Sequence, residues 1–311
     1  MTVILHIGLP KTGTTYLQEW LSLNRERLAQ DGISAISSES SHRFAAEALS
    51  DPALCKRSDV VAIRETSTFD FAIEELRNCG EQSSVISSEY FFHCDPTLVA
   101  DMMKAIGNPV SKILCFVRRQ DRISASGYAQ EVKTLGMTTR ISDYSEVSYT
   151  PFLDWNNIAE TWQQAFPLAD IAFHNFDACS ANGSLLDIFR SEIGDVGAEP
   201  LMLTERVNES LSAHLTEFVR MMNEKRQRTS LSRLMEIQKG TNYPPYSFDQ
   251  RFTQLFEETY IQSNRALADR FPNRFDEFCE PGWRPTGIDM TDKLGPEEIA
   301  RILCDYVSVA E

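Results

Sequence analysis

The stretch VILHIGLPKTGTTYLQEWL, residues 3–21, decides how this chain is read. Val3 to Ile7 is a short apolar run with the composition of a buried strand. Gly8 to Thr15 then carries two glycines, a proline and a lysine. From Thr14 the apolar residues fall at helical spacing, with Leu17, Trp20, Leu21, Asn24 and Leu28 on one face. A glycine-containing loop between a strand and a helix suits an anion. Its backbone can curl so that amides point inward, and the helix start adds partial positive charge. The spacing is that of a phosphate-binding P-loop, glycine, four residues, glycine, then two more. Thr14 stands where such loops place their lysine, and the lysine lies inside the loop as Lys11.

Strands recur at Ile33 to Ile36, Ser84 to Ser87, Lys112 to Val117 and Ile171 to His174, alternating with amphipathic stretches. That alternation predicts an α/β fold: a central parallel sheet flanked by helices, joined by right-handed crossovers. From Glu205 the pattern turns helical, broken by a turn cluster at Gly240–Pro245. Trp155 and Trp162, seven apart in a helical stretch, read as core. Gly136 to Thr150 reads as a surface loop. We expect a single domain over 1–311, with the α/β core in 1–200 and a mainly helical part in 205–311 packing on it.

Composition narrows the function classes. The chain has 311 residues, 42% hydrophobic and 24% charged, enough to bury one large core. No apolar run is long enough for a membrane span, and the N-terminus has no secretory pattern. The seven cysteines are an odd number and scattered, so they read as reduced thiols in a cytoplasmic protein. A net charge of −15 argues against a broad nucleic-acid footprint but not against a small anionic ligand in a local pocket. Lys225, Arg226, Arg228, Arg233 and Lys239 run against the acidic trend, either as a solvated helix face or facing a ligand. His6, His93, His174 and His214 have no metal-ligand spacing. No metal is expected, and His6 should be a hydrogen-bonded core residue.

A kinase would need a lysine at position 14 and an acidic residue ending a neighbouring strand to hold magnesium. The best candidate for that strand ends Phe116, Val117, Arg118, Arg119. A nucleotide site of this kind is expected to neutralise phosphate with side chains rather than with magnesium.

Here the chain resembles the 3′-phosphoadenosine-5′-phosphosulfate (PAPS)-dependent sulfotransferases. Their 5′-phosphosulfate loop reads PKTGTT or PKSGTT, as do Pro10, Lys11, Thr12, Gly13, Thr14 and Thr15. Their 3′-phosphate element has an arginine ending a buried strand, a serine eight residues on and a tyrosine two further, matched by Arg118, Ser126 and Tyr128. The family often has proline where Gln120 stands, and Arg122 is a spare cation that could be structural. Ser124 and Tyr128 could serve packing alone. A third match, QKGTNYP over residues 238–244, is similar to the KGRxYP segment of carbohydrate-type members, with Thr241 in place of the arginine. It includes Lys239 and Gly240, and Asn264 downstream fits the same pattern.

The resemblance implies PAPS as cofactor, without metal, and in-line sulfuryl transfer to a hydroxyl or amine. Lys11 would stabilise the leaving phosphate, with the amides of Gly13 and Thr14, the hydroxyls of Thr14 and Thr15, and Lys239 as a second cation. The general base stays open between Glu89, His42 and Glu39, all placed after strands. The acceptor would be a sugar, lipid or small alcohol. Two rival readings are a small-molecule kinase and a nucleotide-binding relic without activity.

Overall fold

The computed structural model describes residues 2–66, 68–79, 82–143, 152–194, 211–288 and 294–308. Five strands form one all-parallel sheet: β1 (Val3–His6), β2 (Ile33–Ala35), β3 (Ser83–Ser87), β4 (Val110–Val117) and β5 (Asp170–Asn175), in the order β2-β3-β1-β4-β5. Helices flank it. All five strands lie where the sequence pattern predicts. β1 is central, with Leu5 paired to Ile86 on β3 and to Ile113 on β4. Every residue of β1 is buried, which is why its sequence is a continuous apolar run broken only by His6. The chain leaves β1 toward the β2 edge and leaves β4 toward the β5 edge. Their connections therefore part beside β1, where a sheet of this kind leaves a crevice at its carboxyl ends.

The chain divides into two compact units. The first comprises Met1–Arg118, Trp155–Val207 and Ala266–Phe275. The second comprises Arg119–Asp154, Asn208–Arg265 and Asp276–Glu311. The helical C-terminal part is thus not a unit by itself, because 119–154 lie with it while 266–275 lie with the sheet.

In the first unit the helix after the glycine loop runs Thr14–Leu23 and a second runs Arg25–Gln30. They divide at Asn24, whose buried side-chain amide donates to the Trp20 carbonyl at 3.0 Å. The apolar face continues across the break. Leu17, Trp20 and Leu28 are fully buried against Ile4, Val85 and Leu114 of the sheet, a burial worth about 1.5–3 kcal/mol for each large apolar side chain. Trp155 and Trp162 are core residues as expected.

His6 is also the core residue it was read to be. Its Nδ1 lies 2.8 Å from Ser87 Oγ, and its ring meets Phe116 and Phe189 edge-on. Burial pushes its pKa down to about 3, and burial followed by the charge of Arg57 pushes His93 down to about 4. Both stay neutral in the fold but take up a proton near 6.5 once unfolded. Stability should therefore be full above pH 6.5 and fall as pH drops toward these values, by up to about 1.4 kcal/mol per pH unit for each histidine. Urea midpoints measured from pH 8 to pH 4 should show the decline beginning near 6.5. A flat profile down to pH 5 would contradict neutral burial.

In the second unit Asn223 of the helix Ala213–Glu224 donates its Nδ2 to the Val132 carbonyl of the helix Gln120–Leu135 at 2.9 Å, and Gln238 Oε1 of the helix Leu231–Lys239 accepts from Ser212 N at 2.7 Å. Arg220 holds Glu217 at 2.6 Å and the Thr138 carbonyl at 2.8 Å. Tyr128 Oη donates to the Thr139 carbonyl at 2.9 Å, and Ile141 is buried. The stretch read as a surface loop is thus anchored over its first part; residues 144–150 lie outside the described residues. Lys225, Arg226 and Arg228 are exposed, and Arg233 lies over the Tyr306 ring at 5.4 Å. Among the described residues no helix is long and apolar enough to cross a membrane, and no three His, Cys, Asp or Glu side chains gather as a metal site.

Candidate functional site

The glycine loop follows β1 at the carboxyl edge of the sheet. Three positions give it its curl. Gly8 has φ 27°, Lys11 has φ 70° and Gly13 has φ 78°, all in the positive region that L side chains avoid. A lysine holding that conformation is strained by about 1–2 kcal/mol. Two hydroxyls fasten the turn. Thr12 Oγ1 donates to the Leu9 carbonyl at 2.8 Å, and Thr14 Oγ1 donates to the same oxygen at 3.1 Å. Both threonines are buried, so each hydroxyl proton shapes the loop itself. Pro10 and Thr15 are exposed and Lys11 is half-buried.

The helix Thr14–Leu23 begins without a side-chain cap. Its N-cap is Gly13, and no acidic residue stands in its first turn. The amides that open a helix have no partner inside it. Here nothing from the cap residue substitutes, an arrangement that fits a bound phosphate. There is also little room for anything but glycine. A Cβ on Gly13 would meet Leu185 Cδ2 at 2.9 Å and the Phe176 ring at 3.2 Å. One on Gly8 would meet Thr14 Oγ1 at 2.9 Å and Glu89 Cα at 3.4 Å.

That last approach ties the loop to the end of β3. Ser88 caps the short 3₁₀ helix Glu89–His93, its Oγ accepting from Tyr90 N at 3.2 Å. Gln18, on the helix after the loop, donates to the Ser87 carbonyl at 3.0 Å and to Glu89 Oε2 at 3.4 Å. His42 arrives from the helix Ser38–Glu47 that follows β2, its Nδ1 2.8 Å from Ser88 Oγ and its ring edge-on to Tyr90. Burial pushes the His42 pKa below the ordinary histidine value, and the Glu89 carboxylate pulls it part of the way back. Glu89 and His42 are therefore neighbours. Glu39, one turn before His42, is exposed.

Tyr90 Oη donates in turn to Asp59 at 2.8 Å. Burial pushes that carboxyl up, but hydrogen bonds from Arg57 and Tyr90 outweigh it and hold the pKa below the usual value.

Arg118 stands just past β4, half-buried. Its Nε donates to Asp177 Oδ1 at 2.8 Å, and its guanidinium lies 5.6 Å from the centre of the Phe176 ring. Asp177 opens the helix Phe176–Ala181 directly after β5, so the pairing of β4 with β5 brings the two residues together. Nε carries its one hydrogen bond, and the terminal nitrogens have no other side-chain hydrogen bond among the described residues. Trp155 Nε1 donates to the Arg118 carbonyl at 2.9 Å.

A pocket of about 140 Å³ opens beside the helix Thr14–Leu23 and the end of β2. Gln18, Ser22, Ser37, Ser38 and Ser87 line it together with Ile36. Glu75 accepts from Ser37 Oγ at 2.7 Å and pairs with Arg25.

The remaining residues singled out from sequence lie in the second unit. Ser126 Oγ, on the helix Gln120–Leu135, is buried and has no hydrogen-bond partner among the described residues. Lys239 closes the helix Leu231–Lys239, exposed, with Nζ 2.7 Å from Glu236 Oε1. Gly240 follows with φ −86°, a conformation open to any residue. Gln120 and Asn264 form a reciprocal amide pair at 2.8 and 3.1 Å, and Gln120 also reaches the Leu153 carbonyl. Arg119 is held bidentate by Asp121 and stacks on Trp283, while Arg122 pairs with Glu277 at 3.2 Å.

Pattern reading passed over Gln18, Ser88 and Asp177. Gln18 left one trace, a polar residue directly after Leu17, on a helix that buries Leu17, Trp20 and Leu21. Ser88 left another, a serine where a short helix could be capped.

No family model matches the chain. A protein of Archaeoglobus fulgidus, described as uncharacterized, is 30% identical over 141 residues. The match takes in 45% of this chain and only 38% of that relative's length. Among solved structures, a sulfotransferase from Alicyclobacillus acidocaldarius aligns with 76% of this chain and 99% of its own, at 15% identity and a TM-score of 0.39. A likeness that loose transfers no residue's role.

Proposed function

We propose that the chain is a sulfotransferase that moves a sulfuryl group from PAPS to a hydroxyl of an acceptor. The observation that carries this reading is the glycine loop. Its lysine sits inside the curl at Lys11, its helix start is uncapped, and the adjacent strand β4 leads into Arg118 where a metal-binding carboxylate would serve a kinase.

When bound, PAPS would supply an activated sulfuryl group with the 5′-phosphate as its leaving group. The amides of Gly13, Thr14 and Thr15 would hold that phosphate at the helix start. Lys11 Nζ would neutralise the charge that gathers there. Thr12 and Thr14 keep the loop in shape through the Leu9 carbonyl, leaving Thr15 as the exposed hydroxyl. Asp177 fixes the Arg118 fork, whose terminal nitrogens suit a phosphate. The proton of the acceptor hydroxyl would go to the Glu89–His42 pair. The serine-lined pocket, at the loops after β2, is where we place the acceptor, and its size suits a small hydroxylated head.

The test is calorimetric titration with 3′-phosphoadenosine-5′-phosphate against ADP and ATP, with and without Mg²⁺. Binding that needs the 3′-phosphate and ignores the metal is the expected result, and preference for Mg·ATP would replace this reading with a kinase. Arg118→Ala should weaken the 3′-phosphate nucleotide about ten- to a hundredfold, as loss of a charge-assisted contact does. Unchanged affinity in that variant would remove Arg118 from the site.

A further inference from the structure

The hydroxyl of Ser88 constrains which nitrogen of His42 carries the proton. Ser88 is fully buried, away from bulk solvent. Its oxygen already accepts from Tyr90 N at 3.2 Å, and its other partner is His42 Nδ1 at 2.8 Å. The Oγ–H proton must go somewhere. Among the described residues, Nδ1 is the one acceptor in reach. Were Nδ1 protonated, Ser88 would accept twice and its own proton would be buried without an acceptor, an outcome protein interiors penalise. The same penalty falls on the doubly protonated ring, so the hydrogen bond and the burial of His42 both favour the neutral form.

We propose that Ser88 is a positioning residue that locks neutral His42 with its proton on Nε2, making His42 a hydrogen-bond donor in the site and leaving Glu89 as the general base. In this tautomer the basic nitrogen is the one Ser88 occupies. His42 Nε2–H, which has no protein partner among the described residues, can only donate, toward an oxygen that gains negative charge. Glu89 lies against the glycine loop through Gly8 and is steadied by Gln18. It takes the proton from the acceptor hydroxyl as that oxygen bonds to sulfur, and the electron pair of the broken sulfur–oxygen bond stays on the 5′-phosphate. The roles of the two residues in transfer rest on the sulfotransferase reading, whereas the tautomer does not.

The two parts are tested separately. Two-bond proton–nitrogen spectra of the full-length ¹⁵N-labelled chain report the state of each of its five imidazoles. His42 is assigned by the signals lost in His42→Gln. We expect Nε2 protonated and Nδ1 bare near neutral pH in the wild type, with the lock relaxed to a tautomer mixture in Ser88→Ala. A wild-type ring protonated on Nδ1, or on both nitrogens, overturns the proposal whatever the chain catalyses, and needs no variant to fold beyond the one used for assignment. In transfer assays Glu89→Gln should lower kcat about 10²- to 10⁴-fold, the range of a lost general base. His42→Gln, which keeps an amide N–H donor, should cost about tenfold or less. The reverse ranking would make His42 the base. Absence of binding to the 3′-phosphate nucleotide would instead sink the sulfotransferase reading and leave the spectroscopic result standing.

Discussion

On the sulfotransferase proposal, replacing Lys11 with alanine should lower sulfuryl transfer about a hundred- to a thousandfold while the chain stays folded. Removing a single group aimed at developing charge in a water-poor site has an effect of that order. The backbone of Lys11 makes the experiment sharper than usual. At φ 70° any L residue is strained, so the position would be occupied more comfortably by glycine. A lysine kept for its turn alone should therefore be improved by Lys11→Gly, which gains about 1 kcal/mol or more of stability without loss of transfer. A lysine kept for its charge should lose transfer in Lys11→Gly as severely as in Lys11→Ala, even as the fold becomes more stable. Lys11→Arg, with the charge retained but differently shaped, should fall between. Steady-state kinetics beside urea unfolding of the three variants separates the two cases. Transfer within a few-fold of wild type in Lys11→Ala would remove the residue from the chemistry.

The largest stability effect should come from Gly13→Ala. The positive φ of 78° costs an L residue about 1–2 kcal/mol. The new methyl would also sit 2.9 Å from Leu185 Cδ2 and 3.2 Å from the Phe176 ring. Leu185 can yield but the ring resists, and overpacking of this kind costs about 1–3 kcal/mol. Together the loss should reach about 2–5 kcal/mol in urea unfolding, and, on the sulfotransferase proposal, affinity for the 3′-phosphate nucleotide should fall because the loop must shift. Gly240→Ala supplies the contrast. Its φ of −86° is ordinary, and a Cβ there would meet only the Ile237 carbonyl at 3.6 Å. It should change stability by less than about 0.5 kcal/mol. Equal costs at the two glycines would show that backbone curl is not what Gly13 supplies.

These two glycines illustrate what was legible in the chain. Both stood in motifs, and in one dimension they looked alike. The loop after β1 announced itself because its setting is local: an apolar strand before it, amphipathic spacing after it, and a glycine where the helix starts. Gly240 sits at a helix end in a conformation any residue adopts, and no pattern of neighbours reveals a dihedral angle. Arg118 and Arg119 make the same point for cations. Adjacent in sequence, they part company in the fold, where Arg119 is taken up by Asp121 and Trp283 while Arg118 keeps its terminal nitrogens. Gln120, which departs from the proline common in the resembling family, has its own use as the amide partner of Asn264, 144 residues away.

The sequence by itself determined the five parallel strands, the start of the helix at Thr14 and the position of a lysine within the glycine loop. Those features follow from periodicities of two and 3.6 residues and from the special freedom of glycine, which act over a few neighbouring residues. Only the tertiary structure decided that His42 meets Ser88, that Glu89 lies against Gly8, that Arg118 is oriented by Asp177, and that the chain divides into units that each draw on distant segments. Such pairings depend on the order of strands in the sheet and on where each connection returns. That is settled by packing one element against another, and no stretch of chain carries it alone.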